Sequence, residues 1–544
     1  MRLNVARLST GLLGAAASIA LLTLLARVVG FFRTVALGQT LGADCLGSAY
    51  TTANAVPNVV FEVVAGGALA GAVVPLLAGA AGRGERDAVA ATVRALTGWV
   101  LLLLVPAALA VVVFASPIID LLLGGSSGCD AAQVHSVATS LLVVFAVQIP
   151  IYGLVVVAQG TLQAHRQFMV PALAPLVSSL VVIATYGLYA WLSGPTQGQI
   201  SALTQGELAL LAWGTTLGVV ALWVIQWPGM SSQRLLIVRP RLHFPPGMAN
   251  RARNLAAAGA VTVAAQWVAF GVALRLANDR GIQGAALVYT LAWTMFLLPW
   301  SVLALPVVTS AFPRLSSLFD VGDEAGFTRT SAITTRAVVV AGGLGFAGLV
   351  ATARPLSNLM LLGAPGPDQT QQLAHALMTF APGVLGFAVA GHVSRLLYAR
   401  HQGSLAASLM VGGWLLGTVV AVWATQVVAG PNVPAALGTG STVGMLVAGA
   451  IAIVVMRSVV GRGSTLGLAR TTLGTVPAVL VSGGIGLALS FGLPNTSRLA
   501  AAVTALLVGA VVVVIFALVV GVVDRAAWSA LVERIRSSRR QDPV

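Results

Sequence analysis

Between Arg498 and Asp524 the sequence runs without a single charged residue. Wound as a helix rising 1.5 Å per residue, such a run crosses the ~30 Å hydrocarbon core of a bilayer. Runs of this kind recur along all 544 residues. In lipid, a backbone must satisfy its own hydrogen bonds, so a chain built of them folds as packed spanning helices. Fourteen segments qualify, near 11–40, 48–80, 90–114, 135–160, 169–193, 206–227, 252–276, 284–312, 331–353, 371–398, 404–428, 436–456, 468–491 and 498–523. The expected fold class is therefore an all-α polytopic membrane protein with 14 transmembrane helices. Composition agrees: 58% of residues are hydrophobic and 8% charged, against roughly a quarter charged in soluble domains.

The net charge of +15 is not a nucleic-acid signal in such a chain, because basic residues mark cytoplasmic loops of membrane proteins. All 30 basic residues are arginines. With the N-terminus inside and the spans alternating, every arginine falls in an inner segment except Arg27, Arg33, Arg275, Arg280, Arg354 and Arg498. That bias predicts an even number of spans and two cytoplasmic termini. The first apolar segment follows MRLNVARLST and continues through Arg27 toward Thr40, too long for the core of a cleaved signal peptide.

An internal duplication organises the spans. "PIIDLLLGG" from Pro117 recurs as "PLSNLMLLG" from Pro355, and Pro75 pairs with Pro313 at the same offset. "LQAHRQ" (Leu162–Gln167) recurs as "LYARHQ" (Leu397–Gln402). The expected organisation is a six-helix lobe at 1–227 and a cytoplasmic loop at 228–251. A second, parallel six-helix lobe at 252–457, a final helix pair at 458–523 and a basic cytoplasmic tail at 524–544 follow. Parallel repeats of this kind place a substrate in a central cavity and move by rocking.

Few ionisable residues fall within spans, and such residues are functional candidates. Arg27 and Arg33 lie in the first span and Glu62 in the second. Six residues of helix are about 9 Å of rise and about 600° of turn, so the two arginines do not share a face. They can snorkel to an interface, pair with Glu62, or form a cradle for an anionic headgroup, since guanidinium forks grip phosphate oxygens in pairs. In the second span, Gly66, Gly67 and Gly71 supply a small-residue packing face, and Pro57 and Pro75 supply bending points. Arg275, Asp279 and Arg280 crowd the end of the seventh span, either as a surface ion-pair cluster or lining an exit. His392 either packs or faces the cavity. Cys45 and Cys129, the two cysteines, fall in outer loops, and a disulfide between them stays open. No P-loop, HExxH or metal-spaced Cys/His cluster is present, so neither an enzyme nor an ATP-driven pump is expected, and no cofactor.

The stretch "ARVVGFFRTVALGQTLGA…YTTANAVPNVVFEVVAGGALAGAVVPLLA", with "LPWSVLALPVVTSAFPRLS" (Leu298–Ser316) and "LLYARHQ", resembles the MurJ (MviN) family of lipid II flippases. That family belongs to the multidrug/oligosaccharidyl-lipid/polysaccharide exporter superfamily. The resemblance implies two six-helix lobes plus a final pair around an arginine-lined cavity, with Arg27 and Arg33 among the essential arginines. With Asn58 of the family-like "PN" step, Glu62 as the acidic residue of the second span, and Arg275 as an arginine able to compensate for those of the family pattern that this chain lacks, the substrate-binding candidates are Arg27, Arg33, Asn58, Glu62 and Arg275. The chain departs from the family pattern at Thr34, Phe61, Gly66 and Thr294, so a less positive cavity is expected. The implied function is movement of a lipid-linked saccharide pyrophosphate, a peptidoglycan precursor, from the inner to the outer leaflet of a bacterial plasma membrane. Membrane lipids and cell-wall synthesis proteins are the partners to consider. The alternatives are a flippase for another polyprenyl-linked saccharide, a drug/cation antiporter of the same superfamily coupled through Glu62, or a transport-inactive scaffold of the cell-wall machinery.

Overall fold

The computed structural model describes residues 3–63, 73, 76–77, 81–125, 128–165, 167–233, 235, 240–244, 248–428 and 430–523, with side chains outside the description at 3–20, 248–260 and 523. Helices account for nearly all of it, and there is no strand among the described residues. Thirteen helical stretches are long and apolar enough to cross a membrane. They coincide with thirteen of the fourteen expected spans. The second span begins as a helix at Cys45–Phe61. Gly66, Gly67, Gly71 and Pro75 lie outside the described residues, as does the tail at 524–544.

Two compact units divide the chain: Met1–Asp279 with Gly363–Pro367, and Arg280–Leu362 with Asp368–Val544. Unit 1 holds α1 (Leu3–Leu41), α2 (Cys45–Phe61), α3 (Arg86–Val113), α4 (Ala115–Leu123), α5 (Ala131–Phe145) and α6 (Gln148–Ala164). It continues with α7 (Met169–Ser193), α8 (Gln205–Val224), α9 (Trp227–Ser232) and α10 (Met248–Arg280). Polar side chains start these helices where the first N–H groups lack partners. The Asp44 carboxylate accepts from Cys45 N, and Asp130 accepts from Ala132 N and Gln133 N at 3.0 and 3.3 Å. Thr204 and Glu207 close a reciprocal capping box on α8.

One continuous core of Leu, Val, Ile and aromatic side chains joins α2, α3, α5, α6, α7 and α8. The disulfide Cys45–Cys129 ties the start of α2 to the loop before α5, which settles the pairing that the sequence left open. At the same end of α1, Pro365 seats against Gly42 and Gly198, both at positive φ (69° and 82°). A Cβ at either glycine would collide with Pro365, so only glycine fits.

Unit 2 holds α11 (Ala285–Pro299), α12 (Leu305–Asp320), α13 (Glu324–Leu361), α14 (Thr370–Ala399), α15 (Gly403–Val427), α16 (Val433–Val459), α17 (Leu468–Gly492) and α18 (Arg498–Val523). Close backbone approach between α14 and α16 depends on Gly386 and Gly449, the small-residue device of membrane helices. Between α11 and α12 the eighth span opens into a π turn at Trp300–Ala304, just after Pro299. Proline donates no N–H to the ladder, which is where a spanning helix yields.

The duplicated sequences meet different fates. At the end of α6, Gln167 N donates to Leu162 O at 2.9 Å, and at the end of α14, Gln402 N donates to Leu397 O at 2.9 Å. Both copies of the "LxxxxQ" motif thus end a helix with the same backbone bond from Gln to Leu, and in the second copy His401 stands in the left-handed region (φ 58°). By contrast, Pro117 opens the separate helix α4 after a break at Phe114, whereas Pro355 lies inside the unbroken α13. The cysteine pair yields a prediction: denatured, unreduced protein should take up no maleimide. Replacing both cysteines by Ser should lower stability by about 2–4 kcal/mol, measured by thermal or denaturant unfolding in detergent.

Candidate functional site

Leu21, Leu24, Leu25, Val28 and Phe32 make an exposed apolar stripe along α1. At about 100° per residue, Arg27 and Arg33 stand roughly 120° to either side of it, flanking the face that carries Gly30 and the buried Thr34. The Thr34 hydroxyl donates back to Gly30 O at 3.2 Å, so this side chain serves its own helix. Both arginines are exposed. Neither joins an ion pair or a hydrogen bond among the described residues: the ion pairs found there are Arg83–Glu85, His135–Asp120, Arg400–Glu324 and His401–Asp320.

Glu62 caps α2 and is half-buried. The backbone at Glu62–Val63 widens into a π turn a few residues after Pro57. Arg27 is the cation whose field reaches the Glu62 carboxylate, without ion-pair contact. Asn58 and Phe61 lie on the same stretch, and one side chain from α6 holds both. The buried Tyr152 donates its hydroxyl to Asn58 Oδ1 at 3.4 Å, and its ring lies 4.3 Å from that of Phe61. The charge of Arg33 reaches Tyr152, Tyr50 and Tyr186.

Beneath this surface runs a hydroxyl chain. Tyr50 Oη lies 2.9 Å from Tyr186 Oη and 2.8 Å from Thr215 Oγ1. Thr215 in turn donates to Leu211 O at 2.7 Å. Because that proton is committed, Thr215 accepts from Tyr50, and Tyr50 accepts from Tyr186. Gln148 Nε2 donates to Thr216 Oγ1 at 3.0 Å. These bonds join α2, α6, α7 and α8 through polar contacts in an apolar core, although Gln148 Oε1 is left without a partner among the described residues.

Arg275 is placed elsewhere. Helix α4 ends at Gly124 (φ 60°), leaving its last carbonyls without helical partners. Arg275 Nη1 donates to Leu121 O at 2.6 Å, and Asn278 Nδ2 to Leu122 O at 3.1 Å and to Thr52 Oγ1 at 2.9 Å. Asp279 Oδ1 accepts from Gly125 N at 2.8 Å. The end of α10 is therefore a clasp on the end of α4, not an ion-pair cluster. His392, in unit 2, is buried and bonds Thr334 Oγ1 through Nε2 at 3.1 Å.

Of the five candidates, Asn58 and Glu62 share one stretch of α2, the field of Arg27 reaches Glu62, and that of Arg33 reaches Tyr152, which holds Asn58. Arg275 joins none of them. Tyr152 escaped sequence reasoning, because one hydroxyl in an apolar span carries no periodic signal. Its rarity was the available clue: the chain has six tyrosines.

The family model described as "Lipid II flippase MurJ" matches residues 37–495. A "Probable lipid II flippase MurJ" of Synechocystis sp. is 29% identical over 243 residues, 44% of each chain. A "Lipid II flippase MurJ" of Burkholderia cenocepacia is 26% identical over 211 residues, 38% of each. The matched stretch thus spans under half the length of these curated relatives. Among solved structures, "Lipid II flippase MurJ, inward closed conformation" superposes with a TM-score of 0.69 at 16% identity, covering 93% of this chain and 99% of the other. An inward-facing multidrug resistance MATE family transporter of the MOP superfamily gives 0.64 at 13% identity, covering 79% and 95%. At these identities the superpositions establish shared fold.

The clasp makes a stability prediction. Arg275→Ala should lower unfolding stability by about 1–2 kcal/mol through loss of a charged helix cap, measured by thermal unfolding. Arg275→Lys should recover part of the loss, because a lysine still supplies a cation to the carbonyl end.

Proposed function

The chain belongs to the lipid II flippase MurJ family, and on that premise we propose that it moves lipid II, a lipid-linked peptidoglycan precursor, from the inner to the outer leaflet by alternating access. As a family member with this many apolar helices it is a multi-pass protein of the bacterial inner membrane. The arginine distribution supports cytoplasmic placement of both termini. We further propose that its two sixfold repeats act as parallel lobes, with α17 and α18 as an added pair.

One observation carries the reading: two exposed guanidiniums on an apolar spanning helix, neither in an ion pair among the described residues. A cation in such a segment costs several kcal/mol unless something compensates it. The compensation proposed here is the substrate itself. A pyrophosphate offers paired oxygens to paired N–H donors, and charge-assisted forks of this kind are the strong class of hydrogen bond. Arg27 and Arg33 sit about 9 Å apart along the axis, a spacing suited to a pyrophosphate and the first acidic groups beyond it rather than to one phosphate. Asn58 would add a neutral contact for the saccharide, held in place by Tyr152. Arg275, spent on the clasp, would act on transport only through stability. The isoprenoid tail would remain in lipid throughout.

Two tests follow. Arg27→Ala and Arg33→Ala should each reduce flipping about ten- to a hundredfold, the worth of one charge-assisted contact. The readout is undecaprenyl-linked precursor accumulating on the inner leaflet after the native protein is depleted. Full activity of both variants would overturn the reading. Glu62→Gln should leave transport largely intact, whereas a carboxylate-coupled antiporter would lose it; drug efflux measured alongside separates the two.

A further inference from the structure

At the end of α8 the chain turns at Ile225–Gln226 before starting α9, and the turn buries a carboxamide completely. Gln226 Nε2 is used, donating to Leu222 O at 2.9 Å. Its Oε1 has no partner among the described residues. That residue borders a cavity of ~200 Å³ whose other walls include Val93, Thr97 and Leu101 of α3 and Trp223 and Trp227. One water takes ~30 Å³ in the liquid, so there is room for a small polar group several times that size. The two indoles meet edge to face at 5.3 Å, and Trp227 is 39% exposed at the rim. Indoles in this role mark the membrane–water boundary.

The rim is basic. Pro240 lines the cavity, and the strap that follows it is pinned to α3: Arg241 N donates to Arg94 O at 3.1 Å, and Trp99 Nε1 to Leu242 O at 2.9 Å. A Cβ at Gly98 would collide with the Arg241 carbonyl, so the strap lies directly on the helix. Arg241 is exposed. Arg94 is half-buried with Nε unpartnered, and neither arginine joins an ion pair among the described residues.

We propose that this cavity binds the headgroup of phosphatidylglycerol. The phosphate lies against Arg94 and Arg241, a headgroup hydroxyl donates to Gln226 Oε1, and the acyl chains leave across Trp223 and Trp227. Charge selects an anionic lipid over phosphatidylcholine, whose quaternary ammonium would face two arginines and carries no donor. The buried acceptor selects a hydroxyl-bearing headgroup over bare phosphatidic acid. The site is separate from Arg27 and Arg33 and does not depend on what the protein transports.

The test uses the purified full-length chain in detergent, with phosphatidylglycerol, phosphatidic acid and phosphatidylcholine of identical acyl chains titrated by native mass spectrometry. Phosphatidylglycerol should bind most tightly and phosphatidylcholine most weakly. Gln226→Leu should weaken phosphatidylglycerol about five- to tenfold, to the level of phosphatidic acid. Arg241→Ala, at an exposed side chain whose backbone does the strapping, should weaken both anionic lipids and leave phosphatidylcholine unchanged. Unchanged helical content and a single elution peak identify folded variants. Equal binding of all three lipids by the native protein would overturn the proposal, as would an unchanged lipid order in folded Gln226→Leu, which would mean that water alone fills the cavity.

Discussion

A peptide group in hydrocarbon has no water to turn to, and this one constraint orders the molecule. It makes helices of nearly every described residue, and it makes each helix break an event that needs a compensating partner. The break after α4 shows the cost being met. Its terminal carbonyls at Leu121 and Leu122 receive donors from Arg275 and Asn278, residues of a helix more than a hundred and fifty positions away. Many hydroxyls of the spans obey the same constraint: Thr34, Thr161, Thr215 and Ser394 each return a proton to a carbonyl of their own helix. A side chain that does not do so stands out.

Arg27 and Arg33 stand out for that reason. The positive-inside pattern accounts for most arginines and leaves a short remainder, and the structure divides that remainder by partner. Arg275 donates to Leu121 O, Arg280 to Thr425 O and Arg498 to Leu362 O, while Arg354 lies over the Phe491 ring at 4.7 Å. These four serve helix ends or rings. The two in α1 serve no such purpose among the described residues, and their positions flanking an exposed apolar stripe leave them free for an anion. Chemical availability, more than mere presence in a span, is the ground on which they are proposed as substrate contacts.

The spans themselves were legible because length and polarity suffice to find them. Where a span bends was only partly so. Pro299 announces the π turn at Trp300–Ala304, but Pro355 is absorbed into α13 without a break, although its repeat partner Pro117 lies just after one. Proline removes one hydrogen bond in both places; the packing around it decides whether the helix parts or carries on. The repeated "LxxxxQ" helix ends did keep their form in both copies, since that closure is made by a backbone bond within the motif itself.

Local chemistry, then, was written in the order of residues: the membrane class, the thirteen described spans, and the anomaly of two arginines in an apolar helix. Tertiary structure alone decided the rest. It paired Cys45 with Cys129, set Tyr152 against Asn58 and Phe61, assigned Arg275 to a clasp, and left the Gln226 carboxamide facing a cavity. The physical reason is range. Hydropathy and capping act within a few residues of chain, whereas each of these contacts joins helices whose approach depends on how whole apolar faces pack.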